Sequence, residues 1–194
     1  MRDLLEEMQG IEGGLARIAG HIPDMPTREI MLIRLLRLAA EALSAALTTL
    51  LRPYDLNESE FRTLMQLFSS PSGSAFPGHL CVDVAQMPTN MTRITGVLLK
   101  RKFITRGHSR DDRRRVELRI TPAGRRFVRA LLPQMFPVVR ASFARLSEAE
   151  RRGLQSLLQQ LVMSIGRAGA ESEARRTHRV AHRVTHGVMR KAVG

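Results

Sequence analysis

Apolar positions recur at helical spacing along most of this chain and alternate at strand spacing in one short stretch. Residues 1–22 carry an amphipathic helix signal interrupted by glycines at 10, 13, 14 and 20, with little to cap it; this segment reads as an arm suited to wrapping a partner subunit. His21 to Pro26 is a breaker. Thr27 stands where a cap is needed and Glu29 in the first turn, so a helix is expected to run to about Leu51 and stop before Pro53. It is apolar around most of its surface, more than a small monomer needs, which points to burial against a second chain. Asn57 and Glu60 have the spacing of a capping box. The helix they start carries Phe61, Leu64, Met65 and Phe68 on one face and ends near Ser69.

A loop over Pro71 to Gly78 and a short helix from about His79 to Gln86 follow, and Pro88 opens a further helix. That helix turns Met91, Ile94 and Leu98 inward and Thr89, Arg93, Gly96 and Lys100 outward. Two helices joined tightly, the second exposing short polar groups and arginine, form a helix-turn-helix pattern. Ile104 to Arg106 and Arg115 to Ile120 read as a hairpin, because Val116, Leu118 and Ile120 alternate with Glu117 and Arg119. Thr121 and Pro122 supply a cap and a first helical residue for a helix to about Leu146, bent at Pro133 and Pro137. Ser147 and Glu150 form a second capping box, and Leu154, Leu157, Leu158, Leu161, Val162 and Ile165 make a stripe ended by Gly166. The fold class is therefore mainly α with a small β-hairpin: a winged helix-turn-helix plus a helical dimerisation domain. The arm is 1–26, the helical dimerisation region 27–52 and 122–169, the DNA-binding lobe 53–121, and 170–194 a basic tail without fixed structure.

Charge sharpens this reading. The chain has 194 residues and a formal net charge of +13, and +10 of it lies between Arg93 and Arg129, where thirteen Lys and Arg meet Asp111, Asp112 and Glu117. Basicity this local, on a helix and a hairpin, suits phosphates. With no Trp and one Tyr, the chain lacks stacking platforms for single strands, so duplex DNA is the expected partner. Cys81 is the one cysteine, which excludes an internal disulfide framework and a multi-cysteine zinc site and fits a reducing cytoplasm. Asp3, Glu6, Glu7 and Glu12 argue against a signal peptide. Arg34, Arg37 and Glu41 interrupt the apolar run from Ile30 to Leu51, so no membrane partner is expected. Without a Gly-rich phosphate loop, a nucleophile motif or metal-ligand spacing in the core, the reading is no enzyme, no cofactor and no metal.

Thr89, Asn90, Thr92 and Arg93 would lie in the major groove, where Arg can bind guanine and Asn adenine at two points each. Gly96 would permit close approach, and Lys100 continues the face. Arg110, Arg113, Arg114 and Arg115 form a basic wing, and Asp112, two residues from Arg114, can brace it. Cys81, flanked by Leu80 and Val82, reads as a packed residue; the alternative is a redox sensor. His178, His182 and His186 recur every four residues and allow metal binding, although the surrounding arginines read more simply as a basic tail.

The text Thr89-Asn90-x-Thr92-Arg93-Ile94, the wing text Asp112-Arg113-Arg114 and the following Ile120-Thr121-x-x-Gly124 resemble the MarR family of winged helix-turn-helix regulators over about Thr27 to Gly166. The stretch from Met25 to Leu32, and Leu131-Leu132-Pro133, look like its EmrR/MprA-like branch. The resemblance implies a homodimeric repressor of efflux or aromatic-compound response genes, on a pseudo-palindromic operator with half-sites roughly 10 bp apart, released by a small aromatic or phenolic effector. It also implies an Asp112–Arg114 brace and an effector pocket between the dimer helices and the DNA-binding lobe. Met31, Arg34, Leu35, Phe61, Met65 and Phe68 are candidate walls, with Arg34 a partner for a carboxylate. Ala85 and Lys102 stand where the family has glycine, and Met87-Pro88 where it has Ser-Arg. A nonspecific, nucleoid-type DNA-binding protein and a redox- or metal-gated regulator are the alternative readings.

Overall fold

Most helix starts are fixed by side chains that take up amides the helix leaves unpaired. The computed structural model describes residues 3–109, 112 and 114–191, with side chains described as far as residue 171. The elements are α1 (Leu4–Ala19), α2 (Thr27–Leu51) ending in a 3-10 turn at Arg52–Tyr54, α3 (Glu58–Ser69), β1 (Ser74–Ala75), α4 (Pro77–Asp83), α5 (Pro88–Lys100), β2 (Ile104–His108), β3 (Val116–Ile120), α6 (Pro122–Ser142) and α7 (Glu148–Lys191). They fall into two compact units that divide between Ser142 and Phe143. The mainly helical fold class with a small β element holds.

Several starts differ from expectation. Asp3 accepts hydrogen bonds from the Leu5 and Glu6 amides at 2.9 and 3.3 Å, so α1 is capped after all. The arm packs along α2 of its own chain and buries Leu15. Thr27 does not cap α2: it lies inside the helix behind Pro26, and its hydroxyl bonds back to the Met25 carbonyl at 3.2 Å. The capping box at α3 is present as expected, with the Glu60 amide 2.9 Å from Asn57 Oδ1 and the Asn57 amide 3.1 Å from Glu60 Oε2.

The core of the first unit is aliphatic. Leu51, Leu64, Leu67, Leu80, Ile94, Leu98 and Val128 are completely buried, and they bring α2, α3, α4, α5 and the first half of α6 together. The sheet has the order β1-β3-β2, all antiparallel, with Ser74 opposite Arg119 and Ile104 opposite Ile120. β1 lies in what reads as a loop, since two residues are too few to show alternation. β2 reaches His108, two residues beyond the expected end.

Both helices of the helix-turn-helix end in the same way. At the end of α4 the Ala85 amide bonds to Val82 O at 3.1 Å and the Gln86 amide to Cys81 O at 2.8 Å. At the end of α5 the Lys102 amide bonds to Leu99 O at 2.9 Å and the Phe103 amide to Leu98 O at 3.0 Å. This is the Schellman arrangement, whose closing residue is left-handed and usually glycine. Here the closing residues are Ala85 at φ 51° and Lys102 at φ 59°. The turn at Ala85 also explains why α4 stops at Asp83 and not near Gln86; α4 starts two residues early because Pro77 fits a first helical position.

The expected start of α6 is confirmed in detail. The Thr121 amide donates to Phe103 O at 2.9 Å, its hydroxyl lies 2.7 Å from Lys102 O, and the Gly124 amide donates to that hydroxyl oxygen at 3.0 Å. A Cβ on Gly124 would stand 2.3 Å from Phe103 O, so the helix can seat against the end of α5 only with glycine there. α6 contains Pro133 and Pro137 and ends at Ser142, short of Leu146. A turn closed by the Leu146 amide on Phe143 O takes up the difference.

In the second unit Ser147 and Glu150 make the expected capping box, with the Ser147 amide 2.7 Å from Glu150 Oε2. The Ser147 hydroxyl, and after it the Ser147 amide, hold the Glu150 carboxyl below its ordinary value. The stabilisation this gives is therefore present above the ordinary carboxylate range and is lost as pH falls through the lowered value. Gly166 does not end α7, whose backbone stays helical to Lys191, against the expected stop there. One glycine costs a helix only about 1 kcal/mol, and the Ala, Glu and Arg that follow are good helix formers. Phe143, Leu154, Leu158 and Val162 line an apolar groove within this unit.

Replacing Lys102 or Ala85 with Gly should stabilise the protein by up to about 1 kcal/mol each, the left-handed cost less the extra freedom of glycine in the unfolded chain. Gly124→Ala should cost at least about 2 kcal/mol by overpacking. Urea denaturation of the three variants measures both signs.

Candidate nucleic-acid interface

α5 buries Met91, Ile94 and Leu98 and exposes Thr89, Thr92, Arg93, Gly96 and Lys100, with Asn90 half-buried beside them. The expected inward and outward faces are therefore the observed ones. Pro88 takes the first helical position, and no side chain caps the helix at Met87. The Thr92 hydroxyl bonds to Pro88 O at 3.1 Å and the Thr95 hydroxyl to Thr92 O at 3.1 Å, both within their own helix. Nothing lies within 4 Å of where a Gly96 side chain would begin, so packing gives no reason for glycine in mid-helix.

Arg93 is held on two sides. Its Nη1 lies 3.1 Å from Glu60 Oε1, an ion pair in which the arginine side chain is 53% exposed and the glutamate 5%. Its Nε donates to Asn90 Oδ1 at 3.1 Å, and Asn90 Nδ2 donates in turn to Gln86 Oε1. In the sequence Glu60 shows only the spacing of a capping residue. Its second role joins positions 33 residues apart, which no local spacing reveals.

The wing is organised by Asp112, through backbone amides and not through an ion pair with Arg114. Asp112 Oδ1 accepts the Arg114 amide at 2.9 Å, and Asp112 O accepts the Arg115 amide at 3.0 Å. The Ser109 amide then closes on Arg115 O at 2.9 Å. Arg114 and Arg115 are exposed, and the Arg115 guanidinium lies over the Phe76 ring at 3.9 Å. Arg110 and Arg113, two of the expected wing contacts, lie outside the described residues. At the base of the wing Arg119 pairs with Glu117 at 3.0 Å, and the Ser74 hydroxyl donates to Glu117 at 2.6 Å.

Beneath α5 is a cavity of about 320 Å³ bounded by Pro77, Cys81, Met91, Thr92, Thr95, Arg106 and Leu118. Cys81 is half-buried and packs against the core, close to its expected role. Arg106 was not among the expected site residues, because in sequence it is one more wing cation. The six candidate pocket walls lie on two helices, three on α2 and three on α3. Phe61 is in the core with Met65 and Phe68 packed against it, and Met31 and Leu35 are half-buried on α2. Arg34 lines a groove between α1 and α2 with Glu7, Arg37 and Glu41. The side chains of His178, His182 and His186 lie outside the described ones. Among the described residues no cluster of His, Cys, Asp and Glu could hold a metal, and no helix is long and apolar enough to cross a membrane.

No family model matches the chain. The transcriptional repressor MprA of Escherichia coli (strain K12) is 32% identical to it over 152 residues, 78% of this chain and 86% of that protein. A structure of BpsR of Bordetella bronchiseptica, whose DNA binding is regulated by 6-hydroxynicotinic acid, matches at TM-score 0.59 and 24% identity, over 66% of this chain and 91% of that one. A mutant MarR from Escherichia coli, complexed with operator DNA, matches at TM-score 0.63 and 19% identity, over 71% and 98% of the two chains.

Asp112→Ala should speed hydrogen exchange at the Arg114 amide about tenfold, the loss of roughly 1–1.5 kcal/mol of hydrogen bonding. Asp112→Asn, which keeps an acceptor, should stay near the parent rate. Equal rates in all three would remove Asp112 from the organisation of the wing.

Proposed function

The chain belongs to the MarR family of transcriptional regulators and is not an enzyme, and from that premise we propose that it is a homodimeric repressor that binds duplex DNA and is released by a small aromatic or phenolic acid. The observation that carries this reading is the division of α5 into a buried apolar face and an open polar face, next to a wing whose turn is fixed by Asp112. Such a helix fits a major groove, with Asn90 and Arg93 as the residue types that read adenine and guanine. Thr89, Thr92, Lys100 and the wing arginines supply the phosphate contacts that set register. Dimerisation is supported by apolar side chains left exposed on α2 (Leu32, Ile33, Leu36, Leu43) and on α7 (Leu157, Val162, Ile165), which a second copy would cover. The regulated genes, on this reading, are those of efflux or of the response to aromatic compounds.

The cavity beneath α5 also suits the effector. Arg106 offers a cation for a carboxylate, Thr92 and Thr95 offer oxygens for a phenol, and Met91, Leu118 and Pro77 offer apolar walls for a ring. A ligand there releases DNA only if it binds the DNA-free arrangement more tightly than the DNA-bound one.

Fluorescence anisotropy should show a preference of about a thousandfold or more for DNA from the region upstream of this gene over scrambled DNA, lost on adding salicylate. Equal binding to both duplexes would instead establish nonspecific binding. Arg106→Gln should raise the salicylate concentration needed for release at least tenfold, about the value of one charged hydrogen bond; an unchanged concentration would place the effector elsewhere.

A further inference from the structure

We infer that Glu60 is a specificity-determining residue: it cancels the charge of Arg93 toward phosphate while leaving that guanidinium donors for a base edge. The inference rests on the reading of α5 as the DNA-contacting helix.

The geometry fixes the carboxylate firmly. Glu60 Oε2 accepts the Asn57 amide at 3.1 Å, and Oε1 accepts Asn57 Nδ2 at 2.9 Å as well as Arg93 Nη1 at 3.1 Å. Bound into the first turn of α3 and almost fully buried, Glu60 cannot follow Arg93 outward. The half-exposed guanidinium is therefore backed by a fixed negative charge. Phosphate attracts chiefly through net charge, and the pair supplies little. Guanine presents O6 and N7 acceptors, which are met by N–H geometry. Arg has five N–H donors, and the bonds to Glu60 and Asn90 engage two of them. Lys100 and Arg114, also exposed, have no acidic partner among the described residues. They attract any duplex, whereas Arg93 discriminates among sequences.

The test uses the full-length protein, a duplex from the upstream region and a scrambled duplex of equal length. Glu60→Gln keeps an oxygen for the Asn57 amide, as a capping box tolerates, and equal melting temperatures would confirm that the fold is kept. On scrambled DNA this variant should steepen the salt dependence of log K by about 0.9, one further phosphate contact, and bind about fivefold tighter at 0.15 M salt. Its preference for the upstream duplex should fall correspondingly. In the Glu60→Gln background, Arg93→Ala should abolish the increase, because the double variant restores the zero net charge that the pair has in the parent protein. An unchanged slope in Glu60→Gln, or an increase that survives in the double variant, would reduce Glu60 to a helix cap while leaving the regulator reading intact. A parent protein without preference for its upstream duplex would overturn that reading and this inference together.

Discussion

The carbonyl oxygen of Phe103 is the point through which α5, the hairpin and α6 are joined. It receives the Thr121 amide at 2.9 Å and lies 3.1 Å from the Thr121 hydroxyl, and Gly124 passes so close that a methyl group would collide with it. The same residue ends the Schellman turn of α5, opens onto β2, and stacks its ring on Phe127 at 4.5 Å. One short segment thus fixes the end of α5, the first strand of the wing and the start of α6. Relative placement of helix and wing follows from this junction, because no long loop separates them to absorb an error. The left-handed Lys102 directs the chain into it, with strain of about 1 kcal/mol that the surrounding packing offsets.

Charge density and available charge are different quantities in this molecule. The stretch from Arg93 to Arg129 carries most of the net positive charge, yet many of its cations are engaged. Arg101 donates to Asp55 O at 2.9 Å, and Arg119 binds both Glu117 and Ser72 O. Arg125 lies over Phe68 and against Gly73, and Arg115 over Phe76. These contacts shape the surface on which the remaining cations sit. An exposed pair such as Arg119–Glu117 contributes little to stability, but together with the Ser74 hydroxyl it ties β1 to β3 and so closes the base of the wing.

Where the sequence was informative, a local rule was at work. The α5 faces follow from a 3.6-residue period, both capping boxes from a three-residue spacing, and the junction at α6 from Thr-Pro followed by Gly. What stayed hidden depended on contacts between distant positions. The Glu60–Arg93 pair, the cavity between α4, α5 and the hairpin, and the pairing of Ser74 with Arg119 have no signature in neighbouring residues. The Asp112 brace was legible as a role but not as a geometry, since aspartate two residues ahead of a turn amide competes with the ion pair that the charges imply. The stop placed at Gly166 failed because glycine weakens a helix without breaking it.

The two ends of α5 are held differently, and this bears on how a ligand could act on it. Its C-terminal end is locked by two Schellman hydrogen bonds and the Phe103 junction. Its N-terminal end begins at an uncapped Met87, and its side-chain ties there are the chain from Gln86 through Asn90 and Arg93 to Glu60. The cavity opens against this same end, at Pro88, Met91, Thr92 and Thr95. Small displacements are absorbed where few interactions resist them, so a molecule filling the cavity would move the N-terminal turns about a fixed C-terminal pivot. Those turns carry Thr89, Asn90 and Arg93. On the proposed reading, the effector therefore need not push the whole lobe aside. A shift confined to the less firmly held end would misplace the residues that read bases, while the wing, fixed through Phe103 and Asp112, keeps its shape.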